Sequence, residues 1–165
     1  MTGKWGTTIV PALVVIVLDQ LTKAMVVGRM RLHQSISIVD GLFSFTYVRN
    51  TGAAFGIFAG HSEAFRVPML LAVALVALVV LLWFVRGIPA ERRAVIAACG
   101  AVLGGAIGNM IDRATYGEVI DFLDVYVGAY HWPAFNVADA AITVGVIVLC
   151  IDALRGTPAA EHSAT

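Results

Sequence analysis

Four long apolar runs, separated by shorter mixed stretches, make up most of the chain. Residues 8–27 read as a first apolar helix carrying DQLTK (19–23) in its second half. Val67–Val85 is nineteen residues without a charge between Arg66 and Arg86, and Ala94–Ile111 is eighteen between Arg93 and Asp112. Phe135–Leu154 is the fourth run, with Asp139 in its first turns. About 20 apolar residues in helix cross the hydrocarbon of a bilayer, so each run predicts a transmembrane helix. Between the first two runs the period changes. ISIVDGLFSFTYVRN (36–50) alternates apolar and polar positions around an Asp-Gly pair, which predicts two short strands and a turn. Lipid offers a sheet edge no hydrogen-bond partners, so this element belongs in the headgroup zone or beyond it. AGHSEAFR (59–66) predicts a short helix on the interface, and VIDFLD (119–124) a further short strand with Asp121 on one face. The expected fold class is a membrane all-α protein: four transmembrane helices with a small extracytoplasmic β element and an interfacial helix. Residues 1–155 are expected as a single domain and 156–165 as a disordered cytoplasmic tail.

Composition agrees. The chain is 59% hydrophobic and 13% charged, against about 45–50% and 25% for soluble domains. Formal net charge is zero and no basic tract points to nucleic acid. Cys99 and Cys150 both lie inside apolar runs, which predicts small buried hydrophobes and no disulfide framework. The histidines, at 33, 61, 131 and 162, lack ligand spacing, so neither a metal nor a cofactor is expected. Arg86, Arg92 and Arg93 crowd the connection 86–93, which predicts that this connection and both termini are cytoplasmic. Gly100, Gly104 and Gly108 recur every four residues, a face on which another helix can pack closely. That packing is expected within one chain, as a monomer.

The candidate chemistry lies at the helix ends. An even number of spans brings the end of the first, the start of the second, the end of the third and the start of the fourth to one membrane face. That face collects Asp19, Lys23, Asn50, Asn109, Asp112, Arg113, Asp121, Asn136 and Asp139. Ionisable groups at the edge of hydrocarbon are costly and mark functional sites. Asn109, Asp112 and Arg113 share one helical face, as do Asn136, Asp139 and Thr143, while Asp19 and Lys23 are spaced to pair. HExxH, GxSxG and P-loop patterns are missing, and no serine occurs in 104–142. Carboxylate chemistry remains: two neighbouring aspartates that share a proton can activate water and protonate a leaving amine. Spacing leaves open whether Asp112 or Asp121 partners Asp139. A proton or ion carrier and a helix-packing assembly subunit are the competing classes.

DQLTK (19–23), NTGAAF (50–55), GGAIGNMIDR (104–113), VIDF (119–122) and FNVADAAI (135–142) together resemble the bacterial lipoprotein signal peptidases, signal peptidase II. The motifs occur in the family's order and span most of residues 19–142. The resemblance implies an intramembrane aspartic endopeptidase of the bacterial cytoplasmic membrane. It would cut prolipoproteins before a diacylglyceryl-modified cysteine, near the outer face. It assigns the catalytic pair to Asp121 and Asp139. Asn50, Asn109, Arg113 and Asn136 are implied around that pair, and Asp19, Lys23 and Asp112 as structural motif positions. Asp112, next to Arg113 in sequence, is expected to pair with it. Phe55, Phe58, Phe122 and Phe135 are the expected aromatic contacts for acyl chains.

Overall fold

The computed structural model describes residues 2–52 and 60–156. Their order is α1 (Thr2–Arg29), β1 (Ser35–Val39), β2 (Phe43–Asn50), α2 (Glu63–Gly87), α3 (Arg93–Tyr116), β3 (Val119–Val127), β4 (Tyr130–His131) and α4 (Val137–Leu154). All four helices are long and apolar enough to cross a membrane. Apart from Gly156, the segment expected as a tail lies outside the described residues, as do Phe55 and Phe58.

The helices run past the apolar windows, for identifiable reasons. α1 starts at Thr2 instead of residue 8, and Lys4 Nζ donates to the carbonyls of Arg86 (2.8 Å) and Ile88 (2.5 Å). Those are among the unpaired carbonyls that any helix end presents, so the polar lead of α1 closes the end of α2. α3 continues through Asp112 and Arg113 to Tyr116 and stops at Gly117, whose φ of 71° supplies the left-handed cap. The expected interfacial helix (59–66) is not a separate element among its described residues; Ala59 lies outside them. Glu63–Arg66 form the first turn of α2, behind Ser62 at its N-cap, because nothing between them and the apolar run breaks the helix.

α3 is the central helix and packs against α1, α4 and α2. The glycine repeat is the reason it can. A Cβ on Gly104 would stand 2.5 Å from the Ala12 carbonyl oxygen, and one on Gly100 would strike the Thr8 carbonyl. The repeat is therefore spent on α1 of the same chain. Gly105 and Gly145, off that repeat, allow the equally close approach of α3 and α4. Val73, Val76 and Val79 of α2 point outward, the side a bilayer would cover. Cys99 is buried as expected; Cys150 is exposed on α4, because that helix presents an outward apolar face.

At one end of the bundle the strands form a single antiparallel order, β1-β2-β3-β4. The expected Asp-Gly turn joins β1 to β2, with Gly41 at φ 80°. β3 is longer than the motif suggested and pairs with β2, aligning Val48 with Asp121 and Asn50 with Val119. Val26, Tyr47, Ile120 and Phe122 bury together and tie the sheet to the end of α1. Phe122 is thus a core residue of the sheet and not an acyl contact.

Candidate active site

β3 carries Asp121 into the space between α3 and α4, where it is 2% exposed. Three amides meet there. Asn50 Nδ2 donates to Asp121 Oδ2 (3.1 Å) from the end of β2, and Asn136 Nδ2 donates to Asp121 Oδ1 (2.7 Å). Asn136 is the N-cap of α4 and forms a capping box with Asp139: Asn136 Oδ1 accepts from the Asp139 amide (2.9 Å), and Asp139 Oδ2 accepts from the Asn136 amide (3.3 Å). Asn109 Nδ2 of α3 donates to the other Asp139 oxygen (2.8 Å).

Each amide has its orientation forced upon it. Lys23 Nζ can only donate and lies 3.0 Å from Asn109 Oδ1. The Asp139 N–H fixes the oxygen of Asn136, and the Gly52 N–H (3.0 Å) fixes that of Asn50. With their oxygens engaged, all three must turn their NH2 groups toward a carboxylate. Every oxygen of Asp121 and Asp139 therefore receives a protein N–H, and among the described residues none is bonded by a cation.

Electrostatics follow from this. Burial first, and the Asp139 carboxylate second, push the Asp121 carboxyl up from 3.8 to about 7; the amides of Asn50 and Asn136 and the Lys23 charge pull the other way. Burial disfavours the charged form, and a like charge nearby disfavours it further.

Asp19, Lys23 and Asp112 form a second cluster beneath the first. Lys23 Nζ lies 2.8 Å from Asp19 and 2.8 Å from Asp112, and all three side chains are almost fully buried. Asp19 Oδ1 also accepts the Ala138 N–H (3.0 Å), and Asp112 Oδ2 the Ile120 N–H (3.1 Å), so the ion cluster fastens α1 to α4 and α3 to β3. The expected Asp112–Arg113 pair is absent, because consecutive residues of a helix do not face each other. Arg113 instead donates to the carbonyls of Asn109 (3.3 Å) and Gly52 (3.0 Å). Sequence reasoning missed Gln20, whose Nε2 reaches Asp19, Asp112 and the Gly108 carbonyl at 3.1–3.2 Å. Its position inside DQLTK was the available signal. His131, one of the histidines without ligand spacing, sits in β4, bonds Asp124 (2.9 Å) and stacks on Tyr126.

A cavity of about 600 Å³ opens beside the pair. Asn50, Asn109, Arg113 and Asp139 line its polar end, while Trp132, Phe135, Ile142 and Val144 make it otherwise apolar. Asp121 is one hydrogen bond from that lining, through Asn50. Among the described residues, no group of three or more His, Cys, Asp or Glu side chains is placed to hold a metal ion.

Comparison with known proteins agrees with the architecture. The family described as signal peptidase (SPase) II matches residues 11–155. A lipoprotein signal peptidase of Geobacter sulfurreducens is 51% identical over 140 residues, 85% of this chain and 86% of its own. That of Bacillus subtilis is 43% identical over 143 residues, 87% of this chain and 90% of its own. A bacterial membrane enzyme solved by the in meso method at 2.3 Å superposes with a TM-score of 0.84 at 31% identity, over 97% of this chain and 94% of that one. The chain belongs to the signal peptidase II family.

Proposed function

We propose that this protein is an intramembrane aspartic endopeptidase that removes signal peptides from prolipoproteins, cutting before a diacylglyceryl-modified cysteine. The observation that carries the reading is the Asp121–Asp139 arrangement: a buried and a half-buried aspartate, each held by amide donors, beside an apolar cavity, with the Asp121 carboxyl raised to about 7. Two carboxyls so placed hold one proton between them near neutral pH. The ionised member takes a proton from water as the water oxygen attacks the scissile carbonyl. The protonated member gives its proton to the carbonyl oxygen. When the tetrahedral intermediate collapses, the proton taken from water passes to the departing amine, and a hydroxyl proton of the intermediate returns to the other carboxyl, restoring the pair. Asn50, Asn109 and Asn136 hold the carboxylates in place, and Arg113, at the cavity edge, is suited to hold a substrate carbonyl.

The apolar part of the cavity suits acyl chains. Each buried methylene contributes about 0.8 kcal/mol, so lipid dominates recognition. Metal and cofactor play no part in this scheme, and turnover survives strong chelators. The enzyme works as a monomer, residues 1–155 forming its one domain. It lies in the bacterial cytoplasmic membrane with the 86–93 connection and termini cytoplasmic and the pair near the outer face. Cysteines introduced by Ala90→Cys and Asp40→Cys, in a background lacking the native two, then label from opposite sides with an impermeant reagent.

The direct test is cleavage of a precursor peptide with and without its diacylglyceryl group. Release of the signal peptide from the lipidated form alone is the expected result. Equal cleavage of the unlipidated form removes the substrate assignment, and no cleavage of either removes the function.

A further inference from the structure

The opposite end of the bundle carries a second feature that proteolysis does not use. α2 ends there at Gly87, and two grooves meet on its outer side. One, of about 350 Å³, runs along Val79, Val80 and Leu82; the other, of about 630 Å³, lies under Phe84, Ile88 and Pro89. Trp83 and Arg86 line both, and Arg92 lines the second. Trp83 is 73% exposed and lies three residues from Arg86 near the end of α2; amphipathic aromatic rings are enriched where helix ends meet headgroups.

The charges around these grooves are unbalanced. Among the described residues, Lys4, Arg86, Arg92, Arg93 and Arg155 gather at this end against Glu91 and Asp152. Arg92 is paired with Asp152 and Lys4 is bound to backbone carbonyls, whereas Arg86 and Arg93 have no ion pair among the described residues. An exposed guanidinium with five donors matches a phosphate in a two-point fork. From Arg86 back to Val79 is seven residues of helix, about 10 Å, long enough for the upper part of an acyl chain.

We propose that this double groove is a binding site for one anionic phospholipid. Its phosphate is taken by Arg86, with Arg92 at the second edge; its glycerol region packs on Trp83; and an acyl chain lies along Val79 and Leu82. Burial of the chain and the charge of the headgroup act together, as they do wherever cationic residues meet an anionic leaflet. Because Lys4 of α1 closes α2 at this same point, the lipid would also brace the α1–α2 junction.

Native mass spectrometry of the full chain in micelles tests this, with phosphatidylglycerol and phosphatidylcholine added at equal concentration. One phosphatidylglycerol retained per chain is expected, at ten-fold or greater preference over phosphatidylcholine. Arg86→Gln abolishes the preference and Arg86→Lys keeps part of it. Arg155→Gln, at the same membrane end but outside the grooves, leaves it intact. Equal retention of the two lipids overturns the proposal. So does an equal loss with Arg155→Gln, which would mean diffuse attraction in place of a site, and so does a dimer in which a second chain displaces the lipid. Arg86 is exposed and only its backbone carbonyl bonds elsewhere, so the variants fold, which unchanged thermal unfolding without added lipid confirms.

Discussion

Two pairs of aspartates lie within one end of this bundle, and they are treated differently. Asp19 and Asp112 share Lys23, while Asp121 and Asp139 share only amides. Lys23 has three donors, and Asp19, Asp112 and the Asn109 oxygen take all of them. Lys23 has no donor left for the second pair, and Arg113, the other cation nearby, donates to backbone carbonyls instead. The first cluster therefore fastens helices. In the second, the Asp139 charge raises the Asp121 carboxyl and, among the described residues, neither has an ion pair, which is what the proposed shared proton requires. The contact through Asn109 links the two: the cation that stabilises the scaffold also fixes which way that amide faces Asp139.

The largest effect should come from the amide-held pair. Asp121→Asn and Asp139→Asn each keep the size of the side chain but take no proton. Turnover of lipidated precursor should fall by about 10⁴-fold in either, and the double variant should be no worse, since the residues act as a unit. Thermal unfolding should show both proteins folded. Asp112→Asn should keep more activity per folded molecule. An active Asp121→Asn beside a folded but inactive Asp112→Asn would reverse the two clusters.

Breaking the ion cluster should cost stability before chemistry. Lys23→Met leaves two buried carboxylates without a cation, a loss of about 3–5 kcal/mol. Neutralising all three, as Asp19→Asn with Lys23→Met and Asp112→Asn, should restore much of that in denaturation. Turnover of the triple variant should lie below wild type, because Asn109 has lost one of the groups that orient it, yet far above the dyad variants. No recovery in the triple variant would mean that the charges themselves are required.

pH separates the clusters a third way. The Asp121 carboxyl is raised in the fold from 3.8 to about 7, so between those values the native protein binds more protons than the unfolded chain. Its contribution to stability is fully present below about pH 4 and is lost as pH rises through about 7, amounting to at most about 4 kcal/mol. Asp121→Asn should flatten this slope. The cleavage rate should likewise fall above about pH 7 as the pair gives up its shared proton, with both limbs of the profile belonging to the pair. A slope unchanged by Asp121→Asn would count against the shared proton.

The four helices, the Asp-Gly hairpin and the gathering of polar residues at one face were legible in the sequence, because each rests on local periodicity and on the parity of membrane crossings. Pairings were not. That Asp112 turns to Lys23 instead of Arg113 depends on α1 lying against α3, and helical spacing within α3 carries only half of that information. Phe122 was misplaced for a related reason: its side of β3 is settled by pairing with β2 and by Tyr47, which are distant in sequence. Asn136 shows the opposite case. Its spacing from Asp139 is the capping-box spacing, so its backbone role was readable locally, although its reach to Asp121 was not.

Gly108→Ala should give the smallest effect and probes the ion cluster from the side. A Cβ there would lie 2.6 Å from Asp19 Oδ2 and 3.2 Å from its carboxyl carbon. Asp19 has little room to retreat, since Lys23, Gln20 and the Ala138 N–H all hold its carboxylate. Overpacking of this kind costs about 1–3 kcal/mol, reduced by up to about 1 kcal/mol because alanine favours helix over glycine. Gly28→Ala in α1 meets no atom within 4 Å and is the control, neutral or slightly stabilising. If Asp19 and Lys23 are scaffold, Gly108→Ala should lower the unfolding temperature by a few degrees while turnover per folded molecule stays close to wild type. Full stability with lost turnover would place the Lys23 cluster inside the chemistry, and the distinction between the two pairs of aspartates would fall.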